Sequence, residues 1–169
     1  MDFALLMPLF RQLALSAGDR IMQVYGRPNF EVRSKGDASP VTEADEAADA
    51  VISAGLRAAF PHVPLITEEQ AASHALSATT FFIVDPLDGT KEFVQRRGDF
   101  TVNIAYVQDG VPTHGIVYAP AKGRLFYTLP DGTAVEEAGP FAKDAPGPTK
   151  PVRVSSPDNA ARMVVASKS

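Results

Sequence analysis

Phe81-Phe82-Ile83-Val84-Asp85-Pro86-Leu87-Asp88-Gly89-Thr90 is the stretch on which the reading of this chain turns. Its four leading apolar residues read as a buried strand, and the proline and glycine behind them force the chain out of the sheet. Asp85 and Asp88 therefore sit together where a strand over 81–85 ends. A second acidic pair, Glu68-Glu69, follows another apolar segment, Val63-Pro64-Leu65-Ile66. Clustered carboxylates repel one another unless something positive neutralises them. The usual neutraliser of an all-oxygen ligand set is a hard divalent cation such as magnesium. A metal site is the leading functional expectation.

Outward from this stretch, the apolar residues Leu5, Leu6, Leu9, Phe10, Leu13, Ile21, Val24 and Tyr25 space an amphipathic helix over 2–25, with Pro8 tolerable only near its first turn. Residues 26–40 read as polar and broken. A second helix is expected from about Thr42 to about Phe60, with Ala47, Ala48, Val51, Ile52 and Leu56 buried and Pro61 ending it. The pattern then changes to strands at 63–66, 81–85, 100–108, 112–119 and 124–129, with Asp109-Gly110 as a hairpin turn. Residues 138–151 read as an exposed loop, followed by strand-like pieces at 152–154 and 163–166. Helices first and a mostly antiparallel sheet after them make the fold class α+β, a helix pair packed on the sheet. We expect an N-terminal metal- and phosphate-binding domain over 1–150, with 151–169 opening a further α/β domain that this polypeptide does not carry.

Composition narrows the function. With 169 residues and 45% hydrophobic side chains the chain can bury a proper core. It has no cysteine, which excludes disulfides, thiolate metal sites and cysteine nucleophiles. Its net charge is −4 and Arg96-Arg97 is its longest basic run, so a nucleic-acid duplex is not the expected partner, whereas a small anionic substrate held by a few local donors is compatible with it. Asp2, Pro8 and Arg11 break the layout of a signal peptide, and no apolar run is long enough to span a bilayer. The expected location is cytoplasmic, with peripheral association at the inner membrane as the variant. Oligomeric state is not readable from the pattern.

Each motif has a plainer reading beside the functional one. Asp85 and Asp88 suit a tight turn, since aspartates there bond to their own backbone. The string does not fit a calcium-binding EF-hand loop, because Pro86 and Leu87 fill ligand positions. Nor does it fit an aspartyl-phosphate phosphatase of the haloacid-dehalogenase type, because Pro86 stands where the nucleophile should be. Thr42-Glu43-Ala44-Asp45 reads as a helix capping box. Alternatively Asp45 accepts a hydrogen bond from Thr90 and the pair polarises a water, and limited acceptor capacity lets both hold only in part. Gly89-Thr90-Lys91 reads as a turn into a short helix, whose free backbone N–H groups suit an anion. Lys35 is either a surface lysine or a counter-charge near a phosphate. His62, His74 and His114 have no ligand spacing.

Taken together, Thr42-x-x-Asp45, Thr67-Glu68-Glu69 and Asp85-Pro86-Leu87-Asp88-Gly89-Thr90 resemble the magnesium-dependent, lithium-sensitive phosphatases of the inositol monophosphatase superfamily. Lys91-Glu92-Phe93, Gly98-Asp99-Phe100-Thr101-Val102-Asn103-Ile104-Ala105 and the segment from Ser34 to Thr42 are most similar to the 3′(2′),5′-bisphosphate nucleotidase (CysQ-type) subgroup. The resemblance implies the first half of an αβαβα sandwich and two magnesium ions. It implies Glu68, Asp85, Asp88 and the Leu87 carbonyl as metal ligands, with Glu69 less involved. It further implies Asp45, Thr90 and Glu68 in catalysis, and Asp88, Gly89, Thr90 and Lys91 at the substrate. The expected reaction is hydrolysis of adenosine 3′,5′-bisphosphate to AMP and phosphate by an activated water, a step linked to sulfate assimilation. The alternatives are an inositol monophosphatase-type sugar-phosphate phosphatase, against which Glu92 speaks, and an inactive metal-binding fragment. The second-metal aspartate and the nucleotide-reading residues are expected beyond residue 169, so this chain alone is expected to bind magnesium weakly and turn over poorly.

Overall fold

The computed structural model describes residues 1–34 and 40–153. Lys35, Val154 and the strand-like piece at 163–166 lie outside the described residues. Helix α1 (Phe3–Tyr25) is capped by the Asp2 carboxylate, which accepts from the Ala4 and Leu5 amides. Pro8 lies in its second turn, one turn further in than expected, and forgoes one helical hydrogen bond there. Strands β1 (Val32–Ser34) and β2 (Pro40–Thr42) then form a small antiparallel pair inside the segment expected to be broken. Helix α2 (Glu43–Ala59) follows directly.

The main sheet has seven strands in chain order: β3 (Leu65–Thr67), β4 (Phe81–Asp88), β5 (Thr101–Gln108), β6 (Val111–Ala119), β7 (Arg124–Thr128), β8 (Ala134–Glu137) and β9 (Thr149–Pro151). Only β3–β4 is parallel among these neighbours; each other pair is antiparallel. The β5–β6 hairpin turns at Asp109 and Gly110, with φ of 52° and 79°, as a primed two-residue turn requires. Two strands depart from the expectation. No element is expected over 134–137, where β8 forms, and β9 falls inside the expected loop, ahead of Val152.

One face of the sheet forms the core. Phe82, Val84, Val102, Ile104, Tyr106, Ile116, Leu125, Tyr127 and Val135 alternate along their strands and pack under Leu6, Phe10 and Ile21 of α1 and Ala48, Ile52 and Leu56 of α2. The opposite face carries Ile83 and Val117, which are 44% and 42% exposed. Along that face cross-strand partners form a row, Asp85–Asn103–Val117–Phe126–Glu136–Lys150. No helix among the described residues is long and apolar enough to cross a membrane.

Candidate active site

A regular strand sends residues three apart to opposite faces. Asp85 and Asp88 escape this because β4 bulges between them: Asp85 opposes Asn103 and Asp88 opposes Thr101. Those partners are two apart on β5, so both aspartates share the open face. The strand thus continues through Pro86 to Asp88 instead of ending at Asp85, since a bulge tolerates the missing proline N–H. Leu87 and Pro86 are buried, which anchors the bulge.

Glu68 stands beyond the end of β3, its backbone N–H donating to the Val84 carbonyl at 3.1 Å. Parallel pairing of Thr67 with Val84 carries it alongside Asp85. Asp85 accepts the Leu87 N–H at 3.2 Å, yet its carboxyl is pushed up to about 8. Burial is the first cause, then the charge of Glu68, a carboxyl–carboxyl hydrogen bond with Glu68, and the charge of Asp88. Asp88 is exposed and accepts from the Asn103 amide at 3.2 Å. Asn103 Oδ1, on the same side chain, is buried and without a hydrogen-bond partner among the described residues.

Gly89 has φ of 91°, and a Cβ there would lie 2.6 Å from the Asp99 carbonyl oxygen, so only glycine fits. Helix α3 (Thr90–Val94) starts at once, its first internal bond running from Phe93 N–H to the Gly89 carbonyl at 2.9 Å. It is pinned from below by Phe93, which packs on Tyr25, Phe30 and Phe100. The Arg96 guanidinium lies 4.6 Å from the Phe30 ring centroid and donates to the Tyr25 and Arg27 carbonyls. Lys91 is exposed on this turn.

Asp45 is fully buried at the start of α2. Its Oδ2 accepts the Thr42 N–H at 2.8 Å and the Thr42 hydroxyl at 2.7 Å, while Oδ1 accepts the Thr90 hydroxyl at 3.1 Å. The capping box and the Thr90 contact therefore coexist, one carboxylate oxygen serving each. Burial raises the Asp45 pKa, against the lowering effect of the Thr42 and Thr90 hydrogen bonds. Thr90 Oγ1 also lies 3.1 Å from the Leu87 carbonyl oxygen. A groove of about 1240 Å³ opens beside Asp88, Gly89 and Glu92 and is bordered by Arg97, Lys122 and Arg124.

The donor chemistry suits a hard cation: crowded carboxylates, a carbonyl oxygen and the orphaned amide oxygen of Asn103. Among the described residues, however, no three acidic or histidine side chains converge into a ready-made cation cage. Asp85 and Glu68 bond to each other, and Asp88 takes Asn103. His74 instead bonds the Thr67 carbonyl at 2.9 Å, and His114 stacks on Phe3.

The sequence reading brought Asp45, Glu68, Asp85, Leu87, Asp88, Gly89, Thr90 and Lys91 into consideration, and the fold gathers their segments around one end of β4. It passed over Asn103 as a contact to Asp88. The signal available was an amide side chain between Val102 and Ile104, at an outward position of the strand.

The chain has relatives among known proteins. Residues 6–169 match the inositol monophosphatase family. The chain is 49% identical over 129 residues to the 3′(2′),5′-bisphosphate nucleotidase CysQ of Escherichia coli, covering 75% of this chain and 52% of that protein. Among solved structures, CysQ from Bacteroides thetaiotaomicron superposes with a TM-score of 0.63 at 38% identity, over 78% of this chain and 48% of that one. The extragenic suppressor protein suhB from Bartonella henselae gives 0.69 at 32% identity, over 78% and 51%. The chain spans about half the length of the relatives it matches. By sequence and by fold, the chain belongs to the inositol monophosphatase family.

Proposed function

We propose that this chain supplies the carboxylate half of a magnesium-dependent phosphatase that removes the 3′-phosphate of adenosine 3′,5′-bisphosphate, giving AMP and phosphate. The observation that carries the reading is the placement of Asp85 and Asp88 on one open face of β4 with Glu68 alongside, a crowding that together with burial pushes the Asp85 carboxyl up to about 8. A divalent cation relieves that kind of crowding. Glu68, Asp85, Asp88 and the Leu87 carbonyl would hold it. Once bound, magnesium would acidify a water and offset charge on the phosphoryl oxygens.

The protein's own groups supply the rest. Thr90 has a single hydroxyl proton, and a carboxylate is a stronger acceptor than a carbonyl, so the proton goes to Asp45. The lone pairs of Thr90 Oγ1 are then offered to a water O–H, which holds that water for attack. Asp45, whose burial favours its protonated form, suits the uptake of a proton through this contact. The Gly89 and Thr90 amides and Lys91 would receive the phosphate, and the groove offers room for the remainder of an anionic substrate, with Arg97 on its border and Lys122 and Arg124 there paired with Asp99 and Glu136. The choice of nucleotide rests on likeness to the Escherichia coli enzyme.

Phosphate release from adenosine 3′,5′-bisphosphate and from inositol phosphate, with and without magnesium, tests the reading. It should be measured on this chain and on a fusion to the C-terminal half of the Escherichia coli relative. Magnesium-dependent release by the fusion, faster on the adenosine bisphosphate, is the expected result, with this chain alone slow. Faster release from inositol phosphate would overturn the substrate assignment, and release independent of magnesium would overturn the metal assignment.

A further inference from the structure

We infer that Asp49 is a positioning residue for the acidic site, holding Glu68 in place through Thr67; this rests on the metal-site reading above. Asp49 is only 6% exposed, and the reaction proposed above makes no use of it. An apolar residue would fill that place in the core of α2 without the desolvation that a buried carboxylate suffers.

Its hydrogen bonds say what it holds. Asp49 Oδ1 accepts from the Thr67 hydroxyl and, at 3.2 Å, from Ser53 one turn along the same helix. Oδ2 accepts the Gln70 amide at 2.7 Å. Thr67 itself is held at every polar atom. Its N–H donates to Ser73 Oγ at 3.1 Å, and its carbonyl lies 2.9 Å from His74 Nε2. Thr67 and Gln70 bracket Glu68, whose own N–H is fixed on β4.

Asp45 and Asp49 are four residues apart on one face of α2, so their Cβ atoms lie roughly 5–6 Å from each other. Each holds a threonine hydroxyl: Asp45 that of Thr90, directly after Asp88 and Gly89, and Asp49 that of Thr67, directly before Glu68. One helix thereby indexes both acidic segments against each other, and a shift of α2 moves them together. Outer-shell partners of this kind orient ligand carboxylates.

Manganese(II), titrated into the 169-residue chain and followed by paramagnetic water-proton relaxation, reads the effect without turnover. Asp49→Ala and Thr67→Val should weaken manganese binding by about tenfold or more, while Asp49→Asn, which keeps an acceptor for the Thr67 hydroxyl, should stay within about threefold of wild type. Should Asp49→Ala fail to fold, Thr67→Val carries the test, since it exchanges a hydroxyl for a methyl of similar size. Affinities within about twofold of wild type in both variants, beside a clear loss in Glu68→Gln, would overturn the inference and leave the metal site standing. Equal binding by wild type and Glu68→Gln would overturn the metal-site reading, and the inference with it.

Discussion

Glu137 and Asp85 are both carboxylates that this fold withdraws from water, and it treats them in opposite ways. Glu137, on β8, is 1% exposed and meets the Arg11 guanidinium of α1 in a two-pronged contact of 2.6 and 2.7 Å, with the Gly147 N–H at 2.8 Å. Burial pushes its pKa up, yet the Arg11 and Gly147 contacts outweigh that and hold it below the usual carboxylate range. Asp85 is less buried, but its neighbours are other carboxyls and its pKa rises to about 8. A charge that serves the fold is neutralised from inside. The charge at the end of β4 is crowded with its own kind, which is the state expected of a site whose counter-charge arrives from outside.

The comparison breaks first at the ion pair. Arg11→Ala or Glu137→Ala leaves a buried charge without its partner and should cost about 3–5 kcal/mol in urea unfolding. A loss below about 1 kcal/mol would show that the pair contributes little to holding α1 on the sheet. Asp85→Asn should do the reverse in metal-free buffer at pH 8, removing repulsion and raising Tm by about 2–4 °C, the size of a 1 kcal/mol change in a chain of this length. Magnesium should stabilise the wild type, and the same substitution should abolish that stabilisation. A lower Tm without metal, and an undiminished response to magnesium, would count against the crowding argument.

The two regions should also titrate oppositely. Asp85 is raised in the folded state, so its contribution is fully favourable below the unfolded value near 4 and is lost as pH climbs through about 8. Glu137 is lowered, so its contribution is present above its unfolded pKa and is lost as pH falls through the folded one. In metal-free buffer Asp85→Asn should flatten the alkaline side of the stability profile, and Glu137→Gln the acid side. The smallest expected effect is at the cap of α2. Thr42→Ala removes one hydroxyl from Asp45 and the side-chain cap of the Ala44 N–H, at a cost of about 1 kcal/mol. A change within about 0.3 kcal/mol would mean that Asp45 is held without Thr42.

Much of this was legible because it is local. The capping box, the Asp109-Gly110 hairpin, the glycine entering α3 and the strand ahead of Asp85 are decided by residues within a few positions of each other. What was not legible depends on distant partners. β8 has a single buried valine, and its buried Glu137 makes sense only with Arg11, 126 positions away. β9 is exposed along its length and exists by pairing with β8. The bulge in β4 shows only when β5 is laid beside it. The capping and catalytic readings of Asp45 competed on paper because its two oxygens were counted as one resource. Asp49 drew no attention because two of its three partners, Thr67 and Gln70, come from the next segment of the chain.

The most direct test of the central claim is the titration of the Asp85 carboxyl, followed by carbon-13 NMR with and without magnesium. The account predicts a midpoint near 8 without metal and a fall of about one unit or more when magnesium is added. A midpoint in the ordinary aspartate range without metal, or one that magnesium leaves unmoved, would contradict it.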